Sequence, residues 1–85
     1  MRSTAEMLFK AEQHLERGEL DEAATLFDQA FDQNPNSPNA ALGMARVALA
    51  LGQPDEARQI LKKVLRRFPD SPKAVELLRS VGESE

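Results

Sequence analysis

The chain has 85 residues, 29% of them charged and 41% hydrophobic, with a net charge of −3; this fits one small globular domain and leaves no room for a second core. It has no cysteine, tryptophan or tyrosine and a single histidine, which excludes disulfides, thiol catalysis and cysteine–metal sites. Arg46 splits the longest apolar run, well short of the roughly 20 residues a membrane span needs, and no basic, then apolar export segment opens the chain, so the sequence reads as cytoplasmic.

Ser3 and Glu6 have the spacing of a capping box and predict a first helix over residues 4–17, which Gly18 stops. A second helix is predicted over residues 20–34, with Ala23, Leu26, Phe27, Ala30 and Phe31 on one stripe. Ser37 is placed to cap a third helix with Pro38 at its first position, and Gly52 ends it. Pro54 opens the fourth, whose stripe is Ala57, Ile60, Leu61, Val64, Leu65 and Phe68. Asp55 and Glu56 fall in its first turn, where they complement the helix dipole. Ser71 and Pro72 repeat the start signal, and a short fifth helix is predicted to reach Val81 before Gly82. Residues 1–2 and 83–85 read as frayed ends.

The chain also repeats itself. A shift of 34 residues places Leu8 on Leu42, Ala11 on Ala45, Leu15 on Leu49 and Gly18 on Gly52. The same shift aligns Asp21-Glu22-Ala23 with Asp55-Glu56-Ala57, Pro35 with Pro69 and Ser37 with Ser71. Pro38 and Ala40 match Pro72 and Ala74, so a third unit begins and stops.

A helix–turn–helix period of this length resembles the tetratricopeptide repeat family. The carrying residues are Ala11, Gly18, Ala23, Phe27, Ala30 and Pro35, then Ala45, Gly52, Ala57, Leu61, Val64 and Pro69. The resemblance covers residues 4–81 and implies an all-α fold of five helices in one domain: repeat one 4–37, repeat two 38–71, a capping helix 72–81 and a tail 82–85. For function it implies a protein–protein interaction scaffold and no enzyme. Ala11 facing Ala23, and Ala45 facing Ala57, would let paired helices approach closely. Two departures stand out. The family's large aromatic near the start of each repeat is Met7 here and Ala41 in the second unit. Core-type positions further along the first helix hold Lys10 and His14, where the second unit has Met44 and Ala48.

On a helical wheel Lys10, Gln13, His14 and Arg17 share a side of the first helix that corresponds to Met44, Val47, Ala48 and Leu51 on the third. The polarity of the first set predicts that no repeat precedes it. The fifth helix mirrors this, with Ala74, Val75, Leu78 and Val81 expected to face back and Glu76 and Arg79 outward. Both ends then read as polar caps of a free-standing module of modest stability.

His14 has no second histidine or cysteine with which to bind zinc and no evident nucleophile to activate, so it reads as a solvated cap residue. No phosphate loop, paired-carboxylate motif or nucleophile elbow appears, and the sequence calls for no cofactor and no metal. In the resembled family the wheel sector holding Phe9, Glu12 and Glu16 lines a concave peptide groove, continued here by Asn39, Gly43 and Arg46 and then by Lys73 and Leu77. A small apolar pocket is expected, with Phe9 and Leu77 as walls and Gly43 as floor, flanked by Glu12 and Arg46, to hold one apolar side chain of a peptide or partner helix. The competing reading has Phe9 folded over the end of the groove and Gly43 only permitting close helix packing. Some members of the family clamp a partner's C-terminal carboxylate with basic and asparagine side chains. Those positions are Leu8, Glu12, Gly43, Lys73 and Leu77 here, and only Lys73 matches, which argues against a chaperone-tail receptor of that type.

Charge is unevenly spread. Residues 4–37 carry eight acids and two bases, whereas residues 38–71 carry six bases and three acids. Arg58, Lys62 and Arg66 form one stripe on the fourth helix with Lys63 and Arg67 alongside, and Asp28 and Asp32 match Lys62 and Arg66 one repeat earlier. Four uses are open: pairing between the second and fourth helices across the convex surface, self-association of acidic and basic ends, binding of a polyanion, or binding of an unrelated acidic protein partner. Nucleic acid is the weakest of these, because the chain is net acidic and offers no aromatic for base stacking beside the stripe.

Overall fold

The computed structural model describes residues 3–82, so the expected fraying of residues 1–2 and 83–85 lies outside the described residues. Within them the punctuation yields five helices: α1 Thr4–Glu16, α2 Leu20–Gln33, α3 Pro38–Ala50, α4 Pro54–Arg67 and α5 Pro72–Ser80. Each ends within a residue or two of the boundary read from the sequence. Gly18, Gly52 and Gly82 stop α1, α3 and α5 with φ near +75°, a left-handed conformation that glycine alone adopts without a Cβ penalty.

The N-terminal signals are realised unevenly. Ser3 Oγ accepts from the Glu6 amide at 3.1 Å and Ser71 Oγ from the Ala74 amide at 3.3 Å. Ser37 stands at the N-cap of α3 but makes no side-chain cap bond, so Pro38 and the chain geometry start that helix. The Glu6 carboxylate sits 4.0 Å from Lys10 Nζ, an i,i+4 pair on the surface of α1.

α1 packs on α2 and α3 on α4 as two hairpins, α3 also packs against both helices of the first hairpin, and α5 closes on α4. The small residues explain the close approach. Ala11, Ala23, Ala45 and Ala57 are all fully buried, and a larger side chain at any of them would cost roughly 1–3 kcal/mol by overpacking. Two apolar clusters result. One joins Ala11, Ala23, Phe27 and Val47; the other joins Leu42, Ala45, Leu61, Ala74 and Leu78 across α3, α4 and α5. Val47 and Met44 of α3 meet the first hairpin as expected, whereas Leu51 is exposed. On α5, Ala74 and Leu78 are buried and Val81 packs against the second cluster, whereas Val75, also expected to face back, is exposed.

Candidate partner-binding surfaces

Two surfaces emerge, one on the side of α1, α3 and α5 and one between α2 and α4. On the first, Phe9 is 61% exposed at the middle of α1. It is not folded into the core. Glu12, one turn further, meets Arg46 of α3: Arg46 Nη1 donates to both Glu12 carboxylate oxygens at 2.9 Å. The two side chains remain 42% and 39% exposed, so the pair is a solvated clasp between hairpins. Glu16, Asn39 and Lys73 are exposed on their helices.

The expected floor of the pocket is not there. Gly43 is buried, and a Cβ on it would run into the Phe27 ring, so α2 reaches through to the α3 backbone at that point. Gly43 therefore takes the close-packing role, with the Phe27 ring filling the space where its side chain would be. Leu77 is half-buried and packs against the second core cluster, which leaves only part of it facing out. Phe9 stands as a knob rather than as one wall of a cup. Of the clamp positions, Leu8 packs on the first core cluster and Leu77 on the second, Glu12 is paired and Gly43 is covered, leaving Lys73.

His14 departs from a freely solvated cap. Its Nδ1 lies 2.6 Å from Glu19 Oε1, and the Glu19 amide donates to the His14 carbonyl at 2.9 Å, so the pair secures the turn after α1. Among the described residues no group of three or more His, Cys, Asp or Glu side chains is arranged to hold a metal ion. None of the helices is long and apolar enough to cross a membrane.

The second surface was not read from the sequence. Between α2 and α4, above α3, runs a trench with two hollows that share Met44 and Ile60. The hollow toward the start of α2 and α4, about 450 Å³, has Asp28 and Glu56 on its walls. The other, about 290 Å³, is floored by Phe31, Ala41, Met44 and Phe68 and rimmed by Lys63 and Arg67. Ala41 is the position where the family resemblance implies a large aromatic, and the missing bulk accounts for the space. That departure was the signal available in the sequence.

The bases of α4 do not pair with the acids of α2: no salt bridge joins the two helices among the described residues. Arg58 instead bonds Asp55 Oδ1 of its own helix at 2.9 Å. Arg67 Nη2 donates to the neutral Asn36 amide oxygen at 2.9 Å, tying the α2–α3 turn to the end of α4. Lys62, Lys63 and Arg66 are exposed. The α2-to-α4 pairing reading of the charge asymmetry is therefore replaced by pairs within α4 and across α1 and α3.

Two stacked α-hairpins closed by a fifth helix define an α-helical repeat fold. Residues 14–81 match the model of the tetratricopeptide repeat, and the chain belongs to that family. It is 34% identical over 67 residues to the cellulose synthase operon protein C of Xanthomonas axonopodis pv. citri, covering 79% of this chain and 4% of that protein. It is 38% identical over 63 residues to the protein CTR9 homolog of Arabidopsis thaliana, 74% of this chain and 6% of that one. A third relative, the tetratricopeptide repeat and J domain-containing co-chaperone DNJ1 of Fusarium oxysporum f. sp. lycopersici, is 35% identical over 63 residues, 74% of this chain and 12% of its own length. The chain thus spans a small fraction of the curated relatives it matches. Its fold is similar to the NMR structure of the second TPR domain of the human RPAP3 protein in complex with the HSP70 peptide SGPTIEEVD, with a TM-score of 0.84 at 23% identity over 93% of this chain and 66% of that one.

Proposed function

We propose that this chain is a protein–protein interaction module that holds a peptide or a partner helix along the face of α1, α3 and α5. The observation that carries the reading is Phe9, an aromatic side chain 61% exposed beside the solvated Glu12–Arg46 pair. An exposed aromatic of this kind is the type of residue that anchors a partner, and the charges alongside orient what it anchors. Glu16, Asn39, Lys73 and the outer part of Leu77 extend the face on either side.

The surface is carried on helices whose cores are packed around fully buried alanines, so little of it has to order on binding. A TPR domain of human RPAP3, similar in fold, carries a bound peptide, and one relative is named a co-chaperone, which is consistent with a peptide ligand. The ligand chemistry differs from a C-terminal carboxylate held by several bases: at the clamp positions only Lys73 is free to meet one, and Arg46 already holds Glu12. An apolar anchor flanked by one charge of each sign fits the face better.

Selection from a displayed random-peptide library tests this directly. Peptides recovered on the wild-type chain are expected to share an apolar anchor and to lose affinity at least about tenfold, or 1.4 kcal/mol, on Phe9→Ala, with unchanged circular dichroism. Recovered peptides that bind Phe9→Ala as tightly as wild type would overturn the reading.

A further inference from the structure

We infer that the chain docks onto a second copy of itself head to tail, with Phe9 of one copy seated in the Ala41 hollow between α2 and α4 of the next. Each half of that contact is built on a different part of the molecule. The knob is Phe9, 61% exposed on α1, with Glu6, Glu12 and Glu16 three and seven residues away on the same side of the helix. Glu16 is in no ion pair among the described residues, and Glu6 touches Lys10 only at 4.0 Å. Glu12 is held by Arg46, so the knob is an aromatic with two carboxylates, Glu16 and the loosely held Glu6, left to meet a partner's bases.

The socket has the opposite character. Its floor is Phe31, Ala41, Met44 and Phe68, and its volume of about 290 Å³ gives room for an aromatic ring above the Ala41 methyl group. Lys63 and Arg67 stand one turn apart on its rim, and no carboxylate lines it. Arg67 bonds only the neutral Asn36 amide and Lys63 is in no ion pair among the described residues, so both keep their charge for an incoming partner.

Charge complementarity selects the occupant. The first 34-residue unit carries eight acids against two bases and the second six bases against three acids, and among the described residues no salt bridge joins α2 to α4. A second copy brings the acidic aromatic that the basic apolar hollow lacks. Knob and socket are different surfaces, so the contact is heterologous: each added copy leaves one knob and one socket unused, and growth continues unless a ring closes. The steering part of the attraction weakens with salt.

The test is the mass of the intact chain by light scattering with refractive-index detection, from micromolar to about 1 mM, the range where a contact of this small size is populated. The wild type is expected to rise above 9.4 kDa with concentration and to fall back as salt is added. Phe9→Ala removes the knob, Lys63→Glu/Arg67→Glu reverses the socket rim, and Ala41→Phe fills the socket from within; each alone is expected to stay monomeric. Mixing Phe9→Ala with Lys63→Glu/Arg67→Glu is expected to give a one-to-one complex that grows no further, since each brings one intact half. Ala41→Phe adds apolar bulk in an open hollow and keeps the fold, so the test stands even where another variant unfolds. A wild type that remains monomeric at about 1 mM overturns the inference and leaves the hollow to an unrelated partner. So does an associating wild type whose mass Ala41→Phe leaves unchanged. Peptide capture on the α1, α3 and α5 face needs Phe9 and Arg46 but neither Lys63, Arg67 nor Ala41, so socket variants that bind selected peptides and do not self-associate separate the two activities.

Discussion

Glu12 and Arg46 stand 34 residues apart, at the same position of successive repeats, and are joined: Arg46 Nη1 donates to both Glu12 carboxylate oxygens at 2.9 Å. A repeat that differs in sign at one position thus clasps its neighbour across the α1–α3 contact. Both side chains are about two-fifths exposed, so screening by water limits what the pair contributes. A double-mutant cycle of Glu12→Gln and Arg46→Gln in urea melts should give a coupling of about 0.2–1 kcal/mol. A coupling of several kcal/mol would mean that the pair is a buried structural lock and not a solvated clasp on a binding face.

The Phe27 ring lies where a side chain on Gly43 would be, and that ring is fully buried. Alanine for glycine inside a helix normally gains about 0.5–1 kcal/mol. Here the added methyl has no free space, so Gly43→Ala is expected to destabilise by roughly 1–3 kcal/mol in urea unfolding. Gly43→Ala combined with Phe27→Leu should recover part of that loss. A neutral or stabilising Gly43→Ala would show that Phe27 can move aside and that Gly43 lines an accessible surface after all.

Ala41 leaves a hollow of about 290 Å³ beside Phe31 and Phe68. Filling it is a stabilising change: Ala41→Phe should raise stability by about 0.5–2 kcal/mol, visible as a higher melting temperature. A lower melting temperature would mean that the hollow is too narrow for a ring, and the same result would remove the seat for an incoming Phe9.

The two serine–proline starts are alike in sequence and unlike in bonding. Ser71 caps α5 through its hydroxyl, and Ser37 makes no such bond. Ser71→Ala is expected to cost about 0.5–2 kcal/mol, whereas Ser37→Ala should leave the melting temperature within error. Equal losses at the two sites would contradict the difference in cap geometry.

The fold was legible because its determinants are local. Gly18 and Gly52 stop helices through their own backbone, Pro38, Pro54 and Pro72 start them, and alanine at 11, 23, 45 and 57 sets how closely they pack. The surfaces were less legible because they depend on how far one side chain reaches across another element. A helical wheel puts Gly43 on the same side as Phe9, but no wheel shows that Phe27 arrives there from α2. Glu12 and Arg46 were placed together on one face by their spacing, while the bond between them depends on the rotation of α1 against α3. The α2–α4 charge match failed for the converse reason. Side chains one repeat apart on outer helices are separated by the trench, and Arg58 finds Asp55 nearer. The Ala41 hollow was implicit in a departure from the family pattern, but an absent side chain becomes a cavity only when Phe31 and Phe68 do not collapse into it.

The central claim is that the face of α1, α3 and α5 captures a partner, and amide chemical-shift mapping with a peptide selected on the chain tests it most directly. Titrated at a protein concentration low enough to keep the chain monomeric, the largest shifts are expected around Phe9, Glu12 and Glu16, at Asn39 and Arg46, and at Lys73 and Leu77, with residues 58–67 of α4 unmoved. Shifts confined to α2 and α4, with Phe9 and Arg46 silent, would contradict it and move the binding site to the trench.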